Sequence, residues 1–191
     1  MRQNFSTYTD EKLVFLLRSD NKEESEIAFT EVYNRYSSRV HAYCLRVLND
    51  YEQAEDIFQE VFIRFFQKIK SNYPETNVSG YLIKIARNLC LNYKRDKVNT
   101  INIQENDIYF EPGKSFENSE LLDLITTALE LLDFEYKEAF VMREYDGLSY
   151  NEIAEVTNTT VTNAKSRVFR AKQKIKEILQ PYLKDMANNE N

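Results

Sequence analysis

Glycine and proline are scarce, three of each in 191 residues, and tryptophan is absent. A fold of many short strands needs turn residues at every hairpin, so this scarcity excludes it. Alternation of apolar and polar residues is also hard to find, and the chain reads as all-α. No run of about twenty apolar residues exists to span a membrane. The opening residues MRQNFSTYTDEK lack the apolar stretch of a secretory signal. The two cysteines, Cys44 and Cys90, are isolated and outside any CxxC spacing. They read as small core residues in a reducing compartment, and a cytoplasmic protein is expected. One histidine, His41, leaves no basis for a His-based metal site. There is no Gly-rich phosphate loop and no nucleophile triad. Neither an enzyme, a small-molecule substrate nor a cofactor is expected.

What is present is charge, unevenly placed. The formal net charge is −6, yet residues 61–97 hold eight bases and only two acids, Glu75 and Asp96. Residues 161–176 hold six bases (Lys165, Arg167, Arg170, Lys172, Lys174, Lys176) and no acid. Residues 1–60 and 98–160 are acidic, at −5 and −11. Two basic blocks inside an acidic frame point to nucleic acid more strongly than the net charge argues against it.

The second block ends the stretch GLSYNEIAEVTNTTVTNAKSRVFRAKQKIKEIL, residues 147–179. Ser149 followed by Glu152 is a capping box: the hydroxyl accepts an orphan N–H, and the carboxylate reaches back to the cap's own N–H. Asn158 stands where the first helix must end, and Asn tolerates the left-handed conformation. Thr160 is placed to cap the second helix. In that helix Ala164, Val168, Ala171, Ile175 and Ile178 recur at threes and fours, which turns one face inward. Thr162, Asn163, Lys165, Ser166, Phe169 and Arg170 face out. Two helices, a short turn and a basic outer face describe a DNA-reading helix-turn-helix.

The rest of the chain reads as helices at 9–19, 22–48, 51–70, 79–97, 118–133 and 134–146, the last closed by Gly147 as a left-handed C-cap. The expected inward residues are Leu13, Leu16 and Leu17 in the first. In the second they are Ile27, Val32, Tyr36, Val40, Tyr43, Cys44, Val47 and Leu48. The third offers Ala54, Ile57, Phe58, Val61, Phe62, Phe65 and Ile69, and the fourth Tyr81, Leu82, Ile85, Ala86, Leu89 and Cys90. Asn49-Asp50 breaks the pattern and Pro74 fixes a loop at 71–78. The expected division is a domain at 1–97, a flexible linker at 98–118, where helical periodicity is lost, and a helix-turn-helix domain at 119–191.

Three segments, AEDIFQEVFIRFF (54–66), GYLIKIARNLCLNYKR (80–95) and DGLSYNEIAE…AKSRVFRAKQKI (146–175), resemble the bacterial sigma-70 family, in its extracytoplasmic-function (ECF) group. The resemblance spans roughly 22–97 and 120–180. It implies a dissociable subunit that brings core RNA polymerase to promoters for transcription initiation. It implies that Asp56, Gln59 and Glu60 bind the polymerase clamp coiled coil. Residues 73–95 would then recognise and melt the −10 element. Asn88 and Asn92 are then the candidates for base edges and Lys84, Arg87 and Arg95 for phosphates, and Tyr81 stands where the family usually has Trp. Thr162, Asn163, Lys165, Ser166, Arg167, Phe169 and Arg170 would read the −35 duplex. The implied partners are core RNA polymerase, promoter DNA and an anti-sigma factor. Three departures, Asp133 for Pro, Asn158 for Gly and Thr159 for an aliphatic residue, are expected to loosen the packing of the turn. A helix-turn-helix regulator acting alone would leave 54–66 and 80–95 unexplained. A helical module whose basic faces bind an acidic partner and never DNA is the other alternative, favoured by lack of any DNA effect even with polymerase present.

Overall fold

A computed structural model describes residues 5–71, 77–101 and 119–189. It separates into two compact units, Met1–Lys94 and Arg95–Asn191. Among the described residues the only regular elements are helices: α1 (Asp10–Leu17), α2 (Lys22–Leu48), α3 (Tyr51–Ser71), α4 (Val78–Ile101), α5 (Ser119–Glu130), α6 (Phe134–Phe140), α7 (Tyr150–Thr157) and α8 (Val161–Asn189). A single 3-10 turn precedes α1, and a π-helical turn, Val141–Tyr145, continues α6. The all-α expectation holds. Helix α4 runs four residues past its expected end at 97, and the expected linker beyond it, 102–118, lies outside the described residues, as does Pro74.

In the first unit each boundary has a local cause. Thr9 caps α1 through the Lys12 amide (3.3 Å), and Asn21 caps α2 through the amides of Glu23 and Glu24. Asn49 ends α2 in the left-handed region (φ 52°). Asp50 then accepts from the Gln53 amide (3.3 Å) and from the Tyr93 hydroxyl (3.0 Å), tying the start of α3 to α4. The Asn77 carboxamide oxygen accepts from the Gly80 amide (2.9 Å) and opens α4. The Tyr36 hydroxyl donates to Asp10 (2.5 Å); burial and that carboxylate together hold its ionisation well above the ordinary tyrosine range.

All seven residues expected inward on α3 are buried. Two other faces differ from expectation. On α2, Ile27 is 40 % exposed and Tyr36 half-buried, while Ser25 and Ala28 are buried. The Ser25 hydroxyl donates to the Leu17 carbonyl (3.0 Å), so the docking of α1 sets the phase of α2 there. On α4 the buried positions are Val78, Gly80, Leu82, Ile83, Ala86 and Cys90, whereas Tyr81, Ile85 and Leu89 are half-buried. Apolar residues cover so wide an arc of α4 that periodicity alone could not choose its centre. Both cysteines are free and buried. His41, half-buried on α2, pairs with Glu55 and sits against the Phe58 ring.

In the second unit, Ala128, Leu129 and Leu132 pack with Ala171, Ile175 and Leu179 of α8. The buried Lys137 ammonium donates to Glu130 (2.5 Å), joining α6 to the end of α5. Among the described residues no helix is long and apolar enough to cross a membrane.

Candidate nucleic-acid interface

The turn between α7 and α8 is built as its residues predict. Ser149 Oγ accepts from the Glu152 amide (3.2 Å), and the Glu152 carboxylate accepts from the Ser149 amide (2.7 Å). Asn158 adopts φ 52°, ψ 50°. The Thr159 amide donates to the Ala154 carbonyl (2.9 Å) and the Asn158 amide to the Glu155 carbonyl (3.4 Å), the paired bonds of a Schellman closure. Thr160 Oγ1 accepts from the Asn163 amide (3.2 Å), and Thr159 Oγ1 accepts from the Asn163 side chain (3.2 Å). Asn158 thus makes its closing bond through the backbone, and Thr159 is bonded through both its amide and its hydroxyl. Replacing Asn158 by Ala is expected to cost about 1–2 kcal/mol of stability through left-handed strain and so lower the unfolding midpoint, and replacing it by Gly to hold or raise it. Circular-dichroism melts of the two variants check the pair.

Helix α8 has one buried and one bare side. Ala164, Val168, Ala171, Ile175 and Leu179 are buried. Thr162, Asn163, Lys165, Ser166, Phe169 and Arg170 are exposed, Phe169 to 63 %. Arg167 does not join them. It is half-buried on the flank and its guanidinium is paired with Glu135 of α6 (2.7 Å). Lys172 is paired with Glu144 (2.8 Å) and Lys174 with Asp133 (3.0 Å). Asp133 thus holds α8 from the start of α6. Arg170 donates to the Tyr136 hydroxyl (3.3 Å), and Lys165 lies over the Tyr150 ring, which also carries Arg143 (5.8 and 4.7 Å to the centroid). Of the six cations in this block, three are committed to carboxylates of their own unit.

In the first unit, Arg64, Gln67 and Lys68 of α3 and Tyr81, Lys84 and Asn88 of α4 line one groove. At 3.6 residues per turn, Tyr81, Lys84, Asn88, Asn92 and Arg95 fall within an arc of roughly 80°, and Arg87 lies about 60° beyond its Lys84 edge. Asn88, Asn92 and Arg95 are exposed, and Arg87 is half-buried. Tyr81 rests half-buried against the Phe65 ring (6.3 Å), so it serves both the core and the groove. Arg64 and Lys68 were not among the candidate residues. Their signal was the change of the α3 polar face from acidic to basic.

Asp56, Gln59 and Glu60 share the outer face of α3. Beside them a second groove opens between α2 and α3. Its wall is aromatic: Phe29 against Phe62 and Phe66 (6.3 and 5.2 Å), and Tyr33 against Phe58 and Phe62 (6.0 and 4.9 Å). Ile63, half-exposed, stands on its rim next to Gln59. No sequence pattern on α2 marks Phe29 and Tyr33 as part of a surface.

Family models of sigma-70 region 2 and sigma-70 region 4 match residues 32–100 and 122–175, the two parts that carry these surfaces. The ECF RNA polymerase sigma factor SigM of Bacillus subtilis is 30% identical over 156 residues, 78% of this chain and 93% of that protein. The chain belongs to the sigma-70 family. Its relatives place it in the ECF group: the ECF RNA polymerase sigma-E factor of Haemophilus influenzae is 28% identical over 189 residues, covering 92% of this chain and 97% of that one. Among solved structures, the sigma factor RpoE from Bartonella quintana, crystallised with the anti-sigma factor NepR, has the same fold (TM-score 0.70, 22% identity, 80% of this chain and 96% of that one). As a sigma factor the protein directs core RNA polymerase to promoters, and its partners are the polymerase and promoter DNA.

Proposed function

We propose that this ECF sigma factor divides promoter recognition between its two basic surfaces and docks on polymerase through α3. The α8 face carries the reading most directly. Its exposed stripe offers Thr162, Lys165, Ser166, Phe169 and Arg170 to a major groove, while the opposite stripe is wholly buried. Lys165 and Arg170 suit guanine O6 and N7, Ser166 takes either partner, and Phe169 suits a thymine methyl. Asn163 is tied to the turn and orients the start of α8. The α4 stripe suits a separated −10 strand: Asn88 and Asn92 for base edges, Lys84 and Arg95 for phosphates with Arg87 on the flank, and Tyr81 as an aromatic surface. The chemistry is binding throughout, with no catalytic group required of the chain, and its site of action is the cytoplasm. The segment between α4 and α5 tethers the two readers, which raises the effective concentration of the second once the first is bound.

The polymerase face is Asp56, Gln59 and Glu60, extended by the aromatic groove with Ile63 at its rim. An apolar patch bordered by charge is the usual form of a docking surface. Reversing Asp56 to Lys is expected to weaken core polymerase binding about 10- to 100-fold, within the range measured for charge pairs at interfaces. The change sits on an exposed position and leaves the fold intact; biolayer interferometry against immobilised core reads the effect. Solved relatives are held by anti-sigma factors, which supports such a partner for this chain.

Transcription by sigma-free core polymerase on fragments of the source genome, with and without the protein, tests the whole. Discrete transcripts sharing a two-part upstream sequence are expected. Core binding without transcripts would remove the DNA roles, and absence of core binding would remove the α3 assignment.

A further inference from the structure

Helix α3 carries two surfaces, and one residue stands on the line between them. Taking Asp56 as origin at 3.6 residues per turn, Gln59 and Ile63 lie roughly 60° and 20° to one side, while Arg64 and Lys68 lie about 80° and 120° to the other. Glu60 lies between, about 40° from Asp56. It belongs to the proposed polymerase face, and it also lines the α3–α4 groove with Arg64, Tyr81 and Lys84. Its carboxylate accepts from Arg64 Nε at 2.6 Å, with both side chains close to half exposed. The i, i+4 order, acid before base, is the favourable one on a helix.

We infer that the Glu60–Arg64 pair is a latch between the two surfaces, and that Arg64 and Lys68 belong to the strand-binding groove. With the polymerase face empty, Glu60 holds Arg64 and places a negative charge in the groove wall. A cation or N–H donor from the polymerase that engages Glu60 removes that charge and frees the guanidinium. Arg64 then joins Lys68 and Lys84 on a strand phosphate, a ligand whose geometry a guanidinium matches with two parallel bonds. Binding of polymerase and of the separated strand become mutually favourable through one carboxylate, and linkage makes the effect equal in both directions. An exposed helix pair is weak, so the coupling it supplies is about twofold. That suffices to bias strand capture toward polymerase-bound protein without preventing release.

The inference rests on the reading of the α4 stripe as strand-binding, and the test separates the two. The full-length protein is titrated onto a short fluorescein-labelled single-stranded oligonucleotide across a salt series, read by anisotropy. Glu60→Gln should tighten binding about twofold beyond any gain it gives when Arg64→Gln is also present. Lys68→Gln should flatten the dependence of log K on log salt by ~0.7, one single-strand phosphate. In a separate measurement without DNA, Arg64→Gln should tighten core polymerase binding about twofold, because Glu60 is no longer shared. Equal gains from Glu60→Gln with and without Arg64 would show a general charge effect and sink the latch, provided Lys84→Gln and Asn88→Ala still weaken the oligonucleotide complex. If those two α4 variants bind like wild type, the strand-binding reading and the latch fall together.

Discussion

Replacing Lys165 and Arg170 together by alanine is expected to abolish transcription that depends on the −35 duplex while leaving core polymerase binding unchanged. Each side chain suits a guanine edge, a contact worth ~1–3 kcal/mol. Loss of both therefore costs at least ~2 kcal/mol, about thirtyfold in occupancy, and at the upper end ~6 kcal/mol, on the order of ten-thousandfold. Neither residue is needed to fold the unit. Both are exposed, and Arg170 spends one N–H on the Tyr136 hydroxyl at the surface. Arg167 supplies the internal control. Its guanidinium is engaged with Glu135, so Arg167→Ala should disturb the α6–α8 contact and change promoter choice little. In-vitro transcription on a promoter and on the same promoter with its −35 element scrambled distinguishes the cases. Full output from the double variant, or a larger loss from Arg167→Ala, would overturn the assignment of the reading face. Because Arg167, Lys172 and Lys174 are already paired within the unit, the salt dependence of duplex binding should be shallower than six cations imply, at ~0.9 in log K per phosphate neutralised.

The largest expected effect on stability lies at Phe65. It is fully buried on α3, and its ring meets Tyr81. Phe65→Ala should cost about 3–5 kcal/mol, combining lost transfer energy with a cavity the neighbours fill only in part. Against a total of roughly 5–15 kcal/mol for a domain, this leaves the first unit marginal. Urea denaturation should show its transition moved to much lower denaturant, while that of the second unit stays in place. A single transition shifted as a whole would mean that the two units fold together. Tyr81 would lose its backing in the same variant, so −10 recognition should suffer even at temperatures where the unit is folded. Tyr81→Phe, which keeps the ring, should retain most function if stacking is the role of that side chain.

How much of this was legible depended on whether the determining contact is local. The box of Ser149 and Glu152, the left-handed Asn158, the Thr160 cap and the seven-residue inner face of α3 all depend on residues within one or two turns of each other. Periodicity and capping chemistry read them directly. Tyr81 was placed on the inner face of α4 and proves half-buried between core and groove, because a helix apolar over most of its circumference takes its phase from its neighbours. Ile27 was expected inside and is 40 % exposed, while the bond from Ser25 to the Leu17 carbonyl turns Ser25 inward.

The sequence by itself determined the all-helical class, the capped ends at Ser149, Asn158 and Thr160, and the residues that form the outward stripe of α8. Each follows from the intrinsic geometry of a helix and the chemistry of its caps. The tertiary structure decided which cations remain available for DNA, since Glu135, Glu144 and Asp133 reach α8 from other segments. It also formed the two grooves on either side of α3 and placed Glu60 on the wall of one of them. Those features arise where side chains far apart in sequence meet, and a pattern that repeats every 3.6 residues carries no record of which neighbour a helix will meet.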